Sequence, residues 1–380
     1  MTETGGRCWA GVRGGGAKFG FLLVGVCSLV ACGEDAAPGG GPVGPTGGMG
    51  GASTAPQGPL AKPGTAAAPL TPSTLRAGPT TYYDGIKFLF EGATAPQKPV
   101  AAGTFPVAQV SVVRGRVLDE AGTPLPGVTV SAVGQPSWGS VTTRADGFYD
   151  IAVVGGGALG LRYTLPGALS SQRTTRVAWN RTETMRDVVL LAPSATSTAV
   201  TFGNPAWQVA AGDRIVDKSG ARRAWIAIPP GTKAKATDEK KLERELLTGT
   251  LRLTEYTRGD RGKEAMPGDL PPRSAYTFAC SFAFDEAPDD RVTFDKPVYA
   301  YVEDFLGFPR GTVVPSGSFA GDQNVWDREA SGRVVGVVGT GPSFGLDGTG
   351  DGKADDPVSL GLAAGELAAV AGFEIGRAHV

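Results

Sequence analysis

The sequence predicts an all-β protein: an antiparallel β-sandwich, then a second β-sandwich-like region, preceded by a disordered N-terminal tether. Three observations predict this. Between Val110 and Leu191, apolar and polar residues alternate at period two, as in Val128, Val130 and Ala132 against Thr129 and Ser131. Short turn strings separate the runs, among them Asp119-Glu120-Ala121-Gly122-Thr123-Pro124 and Arg144-Ala145-Asp146-Gly147. Glycine and proline are abundant, 58 and 29 of 380 residues, without the strict three-residue period of collagen.

Composition excludes several functions. Lys and Arg number 36 against 37 Asp and Glu, which leaves no basic footprint for nucleic acid. There is one histidine, His379, second from the end. A catalytic zinc site needs two or three imidazoles, and a Ser–His–Asp triad needs one at a fixed place, so no enzyme activity is expected.

The chain opens as an export signal over residues 1–31. Arg7, Arg13 and Lys18 precede an apolar run from Phe19 to Ala31, too short to span a bilayer as a helix. The run ends Leu29-Val30-Ala31-Cys32, which is similar to a bacterial lipobox. That likeness implies lipidation of Cys32, mooring to a membrane through acyl chains, and a place at the bacterial cell envelope, in the outer membrane or at the cell surface. A plain signal peptide with a chance cysteine is the other reading. Cys8 and Cys27 would leave with the signal, and Cys280 would remain without a partner, as a small buried hydrophobe. Residues 32–81 are Gly, Pro, Ala, Ser and Thr with few large apolar side chains, a composition that cannot bury enough area to offset chain entropy. They are expected to form an extended tether.

Residues 82–109 lead into the first sandwich, at 110–193. There Gly115-Arg116-Val117-Leu118-Asp119, Gly122-Thr123-Pro124-Leu125-Pro126-Gly127-Val128 and Arg144-Ala145-Asp146-Gly147-Phe148-Tyr149-Asp150-Ile151 resemble the carboxypeptidase-regulatory-like, transthyretin-like module. The resemblance implies an accessory sandwich and no peptidase activity. A second β-rich region follows over 194–340. Within it Asp238 to Leu247, with Leu242, Leu246 and Leu247 on one stripe, reads as a short helix. Glu255-Tyr256-Thr257, Met266 to Thr277 and Tyr301 to Pro315, followed by Trp326 and Gly332-Arg333-Val334-Val335, resemble the N-terminal region of bacterial Rhs/YD-repeat proteins, relatives of teneurins. That resemblance implies a non-catalytic scaffold that anchors, spaces and caps a downstream shell of YD repeats in cis.

Residues 341–373 contain Leu346-Asp347-Gly348-Thr349-Gly350-Asp351-Gly352-Lys353-Ala354-Asp355-Asp356. Asp347, Thr349, Asp351, Lys353 and Asp355 stand at alternate positions of an EF-hand-like calcium loop, with Gly352 at the sharp turn. Thr349 replaces an acid and Val358 stands where a bidentate Glu would be, so a solvated Gly/Asp turn is the competing reading. No other cofactor is expected. The tail, 374–380, contains Ile375-Gly376-Arg377-Ala378-His379-Val380, which resembles a translated sequencing adapter; on that reading His379 is foreign and the native chain continues. The alternative function is a stand-alone surface lipoprotein that binds a glycan or protein partner, with Trp138, Trp179, Trp207 and Trp326 as contacts.

Overall fold

The computed structural model describes residues 8–13, 18–19, 21–24, 81–238, 240–270, 276–321 and 324–371. Cys32, the tether and the tail 374–380 lie outside them. The described chain is all-β, as the alternation predicts. The first strands, β1 (Cys8–Arg13), β2 (Lys18–Phe19) and β3 (Phe21–Val24), fall in the stretch read as an export signal and pair within the sheets of the second region.

After a one-and-a-half-turn helix, α1 (Tyr82–Ile86), the first sandwich begins with its longest strand, β4 (Val110–Leu118). The strands β5 (Thr129–Ala132), β6 (Ser140–Thr142), β7 (Phe148–Val154), β8 (Gly157–Thr164), β9 (Ser171–Val177), β10 (Thr182–Thr184) and β11 (Val188–Val189) follow. One sheet runs β6-β5-β8-β9, all antiparallel. In the other, β7 pairs antiparallel with β4, while β10 and β11 run parallel to it. Alternation assigns the faces. Val113, Val117, Ile151, Val153, Val130 and Leu161 point between the sheets. Val110, Val112 and Ala152 point outward, where Ile86, Leu89, Phe90 and Phe105 of the lead-in cover them. A strand buried on both faces reads as a nearly continuous apolar run, which is why β4 begins Val-Ser-Val-Val.

The second region contains β12 (Thr198–Thr201), β13 (Gln208–Ala211), β14 (Ile215–Asp217), β15 (Gly220–Arg222), β16 (Ala224–Ile228), β17 (Ala234–Thr237), β18 (Glu243–Leu246) and β19 (Thr248–Glu255). After the single turn α2 (Gly262–Ala265) come β20 (Phe278–Phe284), β21 (Arg291–Phe294), β22 (Tyr299–Glu303), β23 (Val313–Ala320), β24 (Val325–Val338), β25 (Gly345–Asp347) and α3 (Glu366–Ala371). A large sheet runs β12-β19-β20-β3-β23-β24-β1-β22-β16-β13, with β25 beside β24. A smaller one runs β18-β17-β21-β2. Val200 of β12, Leu251 of β19, Ala210 of β13 and Ile226 of β16 share one core, so residues from both ends of the large sheet meet there. Pro315, which cannot donate to a ladder, sits at a bulge where the β23–β24 register shifts between Val314 and Ser316. Residues 341–371 pack onto the outer face, where Leu346, Leu360 and Val370 cover Trp225, Tyr299 and Tyr301.

The helix expected over Asp238–Leu247 is not formed. The segment turns through Lys241, at φ 65°, and Glu243–Leu246 pairs antiparallel with Ala234–Thr237. The leucine stripe misleads because Leu246 is buried against the core while Leu242 and Leu247 are exposed. Once Ala234 and Ala236 lie on β17, its ladder determines the backbone of the next segment.

Candidate functional site

The feature that organises the molecule is the joint between the two β regions. Strand β9 is an edge of its sheet, and segment 262–270 of the second region lies along it. The Gln172 amide donates to Pro267 O at 2.8 Å, and the Thr174 amide to an Asp269 carboxylate oxygen at 2.6 Å. Arg173 is buried at the centre. Its guanidinium donates to Met266 O at 2.8 Å, Glu264 O at 2.6 Å and Ser171 Oγ at 2.6 Å. Ser171 Oγ also reaches Met266 O at 2.9 Å. Burial lowers the Arg173 pKa from its ordinary value, with Asp269 opposing. Around these polar contacts Leu118, Leu169, Val189 and Leu191 of the first sandwich pack on Tyr256, Ala265, Met266 and Ala279 of the second region. An ion pair between Arg258 and Glu120 at 2.8 Å closes one side.

Beside the joint lies a cavity of about 330 Å³, lined by Arg162 and Gln172 from the first sandwich and by Phe282, Asp289, Arg291 and Phe319 from the second region. The acids of residues 285–290 at its edge serve as ion-pair partners and turn acceptors. Asp285 pairs with Arg252 at 2.7 Å, Asp290 with Arg244 at 2.6 Å, and Glu286 accepts from the Thr250 amide at 2.8 Å. Cys280, on β20, is buried, and burial pushes its thiol well above the ordinary value.

The Asp-rich loop departs from a calcium cage. The Asp347 carboxylate is fully buried and accepts from the amides of Gly350 at 2.6 Å, Gly352 at 2.9 Å and Thr349 at 3.1 Å, and from Arg310 Nη1 at 2.6 Å. Asp355 accepts from the Gly348 amide at 2.7 Å, and Asp351 from the Lys353 amide at 2.8 Å. The positive charge facing Asp347 is therefore a guanidinium. Among the described residues no group of three His, Cys, Asp or Glu side chains is arranged to hold a metal ion. The Thr349 hydroxyl turns toward the carboxylates, 3.4 Å from oxygens of Asp347 and Asp355.

Three of the four candidate tryptophans are partly buried. Trp138 packs against both first-sandwich clusters, Trp207 donates to Ala364 O at 3.3 Å, and Trp326 donates to Asp269 O at 2.9 Å. Trp179 is 56% exposed and donates to Gly155 O at 3.0 Å.

The motif residues of the first sandwich show why those residue types recur there. A Cβ on Gly115 would lie 2.5 Å from Tyr149 Oη, so the glycine makes room for the Tyr149 ring. Tyr149 Oη and Tyr163 Oη share a buried hydrogen bond of 2.7 Å. Asp150 is held between Arg114 at 2.6 Å and Arg144 at 2.7 Å. Gly147 takes φ 75° and packs on Val117 O, while Asp146 caps the Phe148 amide at 3.0 Å. Residues 105–190 match the family model of the teneurin TTR-like domain.

Curated relatives align over about a third of the chain or less. Teneurin-3 of Danio rerio is 38% identical over 112 residues, covering 29% of this chain. Teneurin-4 of Mus musculus is 31% identical over 110 residues, also 29% of this chain, and Teneurin-m of Drosophila melanogaster 31% over 121 residues, 32% of this chain. The chain spans 4% of the length of each of these relatives. Among solved structures, a streptococcal ancillary pilin aligns at 9% identity with a TM-score of 0.20, over 49% of this chain and 58% of its own.

Two clusters have no counterpart in the sequence reading. One is Arg173 at the joint. The other is Arg222, 1% exposed, which pairs with Asp217 at 2.8 Å and Glu255 at 2.6 Å beneath the Phe305 ring. Arg222 stands two residues before the apolar run Ala224–Ile228, and a buried arginine in such a setting signals a buried partner. In the triplet Arg258-Gly259-Asp260, Arg258 pairs with Glu120 across the joint and Asp260 with Lys218 at the exposed surface.

Proposed function

We propose that this chain is a non-catalytic scaffold of teneurin type at a cell surface, moored to a bacterial envelope membrane by lipid on Cys32. Its two β regions would support and cap a YD-repeat shell carried by the same polypeptide. The observation that carries the reading is the joint. A teneurin TTR-like domain is fixed to the second region by a buried arginine with backbone acceptors on both sides and by a shared apolar cluster. Such an interface transmits orientation, which a scaffold needs and two loosely strung modules lack. The lipobox-like Leu29-Val30-Ala31-Cys32 supports the mooring. Tritiated palmitate should label the wild type, and Cys32→Ser should be unlabelled and released from membranes; full membrane retention of the variant would refute the mooring.

A second reading is favoured by the cavity beside the joint. Its lining sets the charged side chains of Arg162, Asp289 and Arg291 and the amide of Gln172 beside the rings of Phe282 and Phe319, a polar-and-ring mixture suited to a small glycan. A glycan array showing saturable binding lost in Gln172→Leu would establish it.

A further inference from the structure

The large sheet of the second region is completed in its middle by strands from the far N-terminus. Strand β3 lies between β20 and β23 and pairs antiparallel with both, Leu22 standing opposite Cys280 on one side and Ser318 on the other. Strand β1 lies between β22 and β24, with Gly11 opposite Tyr301 and Arg333. The β23–β24 hairpin therefore sits between two inserted strands. Without them, four strand edges in the interior of one sheet lose their partners, and unpaired backbone at such edges costs free energy or recruits another strand.

Two further observations bear on what fills these slots. First, processing at Cys32 would remove both donor strands. Second, α3 is pinned to the strand that borders one slot. The Tyr301 hydroxyl donates to Glu366, and Val370 packs with Trp225 and Tyr301. Helix α3 thus lies over β16 and β22, and β22 pairs with β1 on its other side. The slot beside β20 demands an apolar strand, because Phe278 to Phe284 is buried at almost every position on both faces. The present occupant, Phe21-Leu22-Leu23-Val24, has that character.

We propose that the two slots are strand acceptors. Residues 8–24 fill them before processing, and apolar strands of the polypeptide that follows Ala371 fill them in the mature protein. Main-chain ladders would supply affinity, and the two-faced burial would select uncharged strands. This rests on the reading of Cys32 as the mature N-terminus, and the test separates the two claims.

A protease site placed in the full chain between residues 50 and 56 lets the folded protein be nicked. A fluorescein-labelled synthetic peptide of residues 6–25 should then exchange into the nicked protein at one copy per chain. Removing the N-terminal piece should speed amide exchange in 278–284 and 313–320 at least tenfold. Refusal of the peptide, or unchanged protection after the piece has gone, would overturn the acceptor claim. In the uncut chain, Gly11→Pro and Leu23→Pro should each speed exchange in the flanking strands, and no change would count equally against it. Extending the nicked chain with its natural continuation should reduce peptide uptake at least tenfold; undiminished uptake would overturn the assigned successor. Palmitate labelling reads Cys32 separately, so peptide uptake with an unlabelled Cys32 refutes the mooring and leaves the acceptor standing.

Discussion

Gly115→Ala tests the central packing argument of the TTR-like domain. The added methyl would meet Tyr149 Oη at 2.5 Å, Cζ at 2.8 Å and Cε1 at 2.9 Å. Carbon contacts are most favourable at about 3.5–4.0 Å, so the ring must retreat by roughly 1 Å. It has nowhere to go: Tyr149 is 1% exposed, and its hydroxyl is bonded to Tyr163 at 2.7 Å. Overpacking of this kind costs about 1–3 kcal/mol. A buried hydroxyl pulled off its partner adds about 1–3 kcal/mol. The expected destabilisation is about 3 kcal/mol, read from native-state amide exchange of β4 and β7 in the full chain. Gly157→Ala is the control, since its Cβ meets nothing within 4 Å and its φ is not positive; it should be neutral or stabilising by up to about 1 kcal/mol. Tyr149→Phe removes the closest atom and leaves Tyr163 its 3.6 Å contact with Met185 Sδ. Combined with Gly115→Ala it should cost at least about 1 kcal/mol less than the two single changes added. A Gly115→Ala protein within about 0.5 kcal/mol of wild type, or an additive double variant, would refute the reasoning.

Three other outcomes are expected. Burial raises the Asp347 carboxyl, but the Gly350 and Gly352 amides and Arg310 outweigh it and hold the group at about 2, below its ordinary 3.8. A depressed carboxyl stabilises the fold above its unfolded pKa, so about 2 kcal/mol should be present above pH 4 and lost as pH falls toward 2. Urea titrations should show Asp347→Asn abolishing that part of the pH dependence. Calorimetry with millimolar Ca²⁺ should give no saturable heat, because Arg310 and backbone amides already occupy the Asp347 oxygens; a saturable heat lost in Asp347→Asn would reverse the assignment. Arg173→Met should destabilise the joint by about 3 kcal/mol by stranding the Met266 and Glu264 carbonyls, and should split melting into two transitions; Arg173→Lys should not rescue it, since one ammonium cannot span both acceptors.

The TTR-like domain was legible because its signals are local. Period-two alternation fixes which side of each strand faces the other sheet, and Asp146-Gly147 fixes its turn without help from distant residues. The Asp238–Leu247 stretch was misread because its charges and leucines suit a helix in isolation, while pairing with Ala234–Thr237 decides the backbone. The Asp347 loop carried a cation-binding spacing, but the charge that answers it, Arg310, lies 37 residues away. Arg173 could not be placed for the same reason, since it answers backbone carbonyls of Glu264 and Met266, and Arg222 joins Asp217 of its own hairpin to Glu255, 33 residues away.

Edge management explains why the joint and the strand slots belong to one design. An exposed strand edge invites further pairing. In the TTR-like domain, β6 is covered by Lys98, which exchanges two backbone hydrogen bonds of 3.0 Å with Ser140. The free side of β7 is covered by Gln97, whose side-chain amide donates to Ala152 O at 2.9 Å and accepts from the Ala152 amide at 2.7 Å, as a neighbouring strand would. The β9 edge is covered by Pro267 and Asp269 across the joint. Strand addition is therefore blocked at all three places, and the TTR-like domain contributes orientation. Capacity for exchange lies in the second region, whose sheet is held together at its centre by chain from more than 250 positions away in sequence.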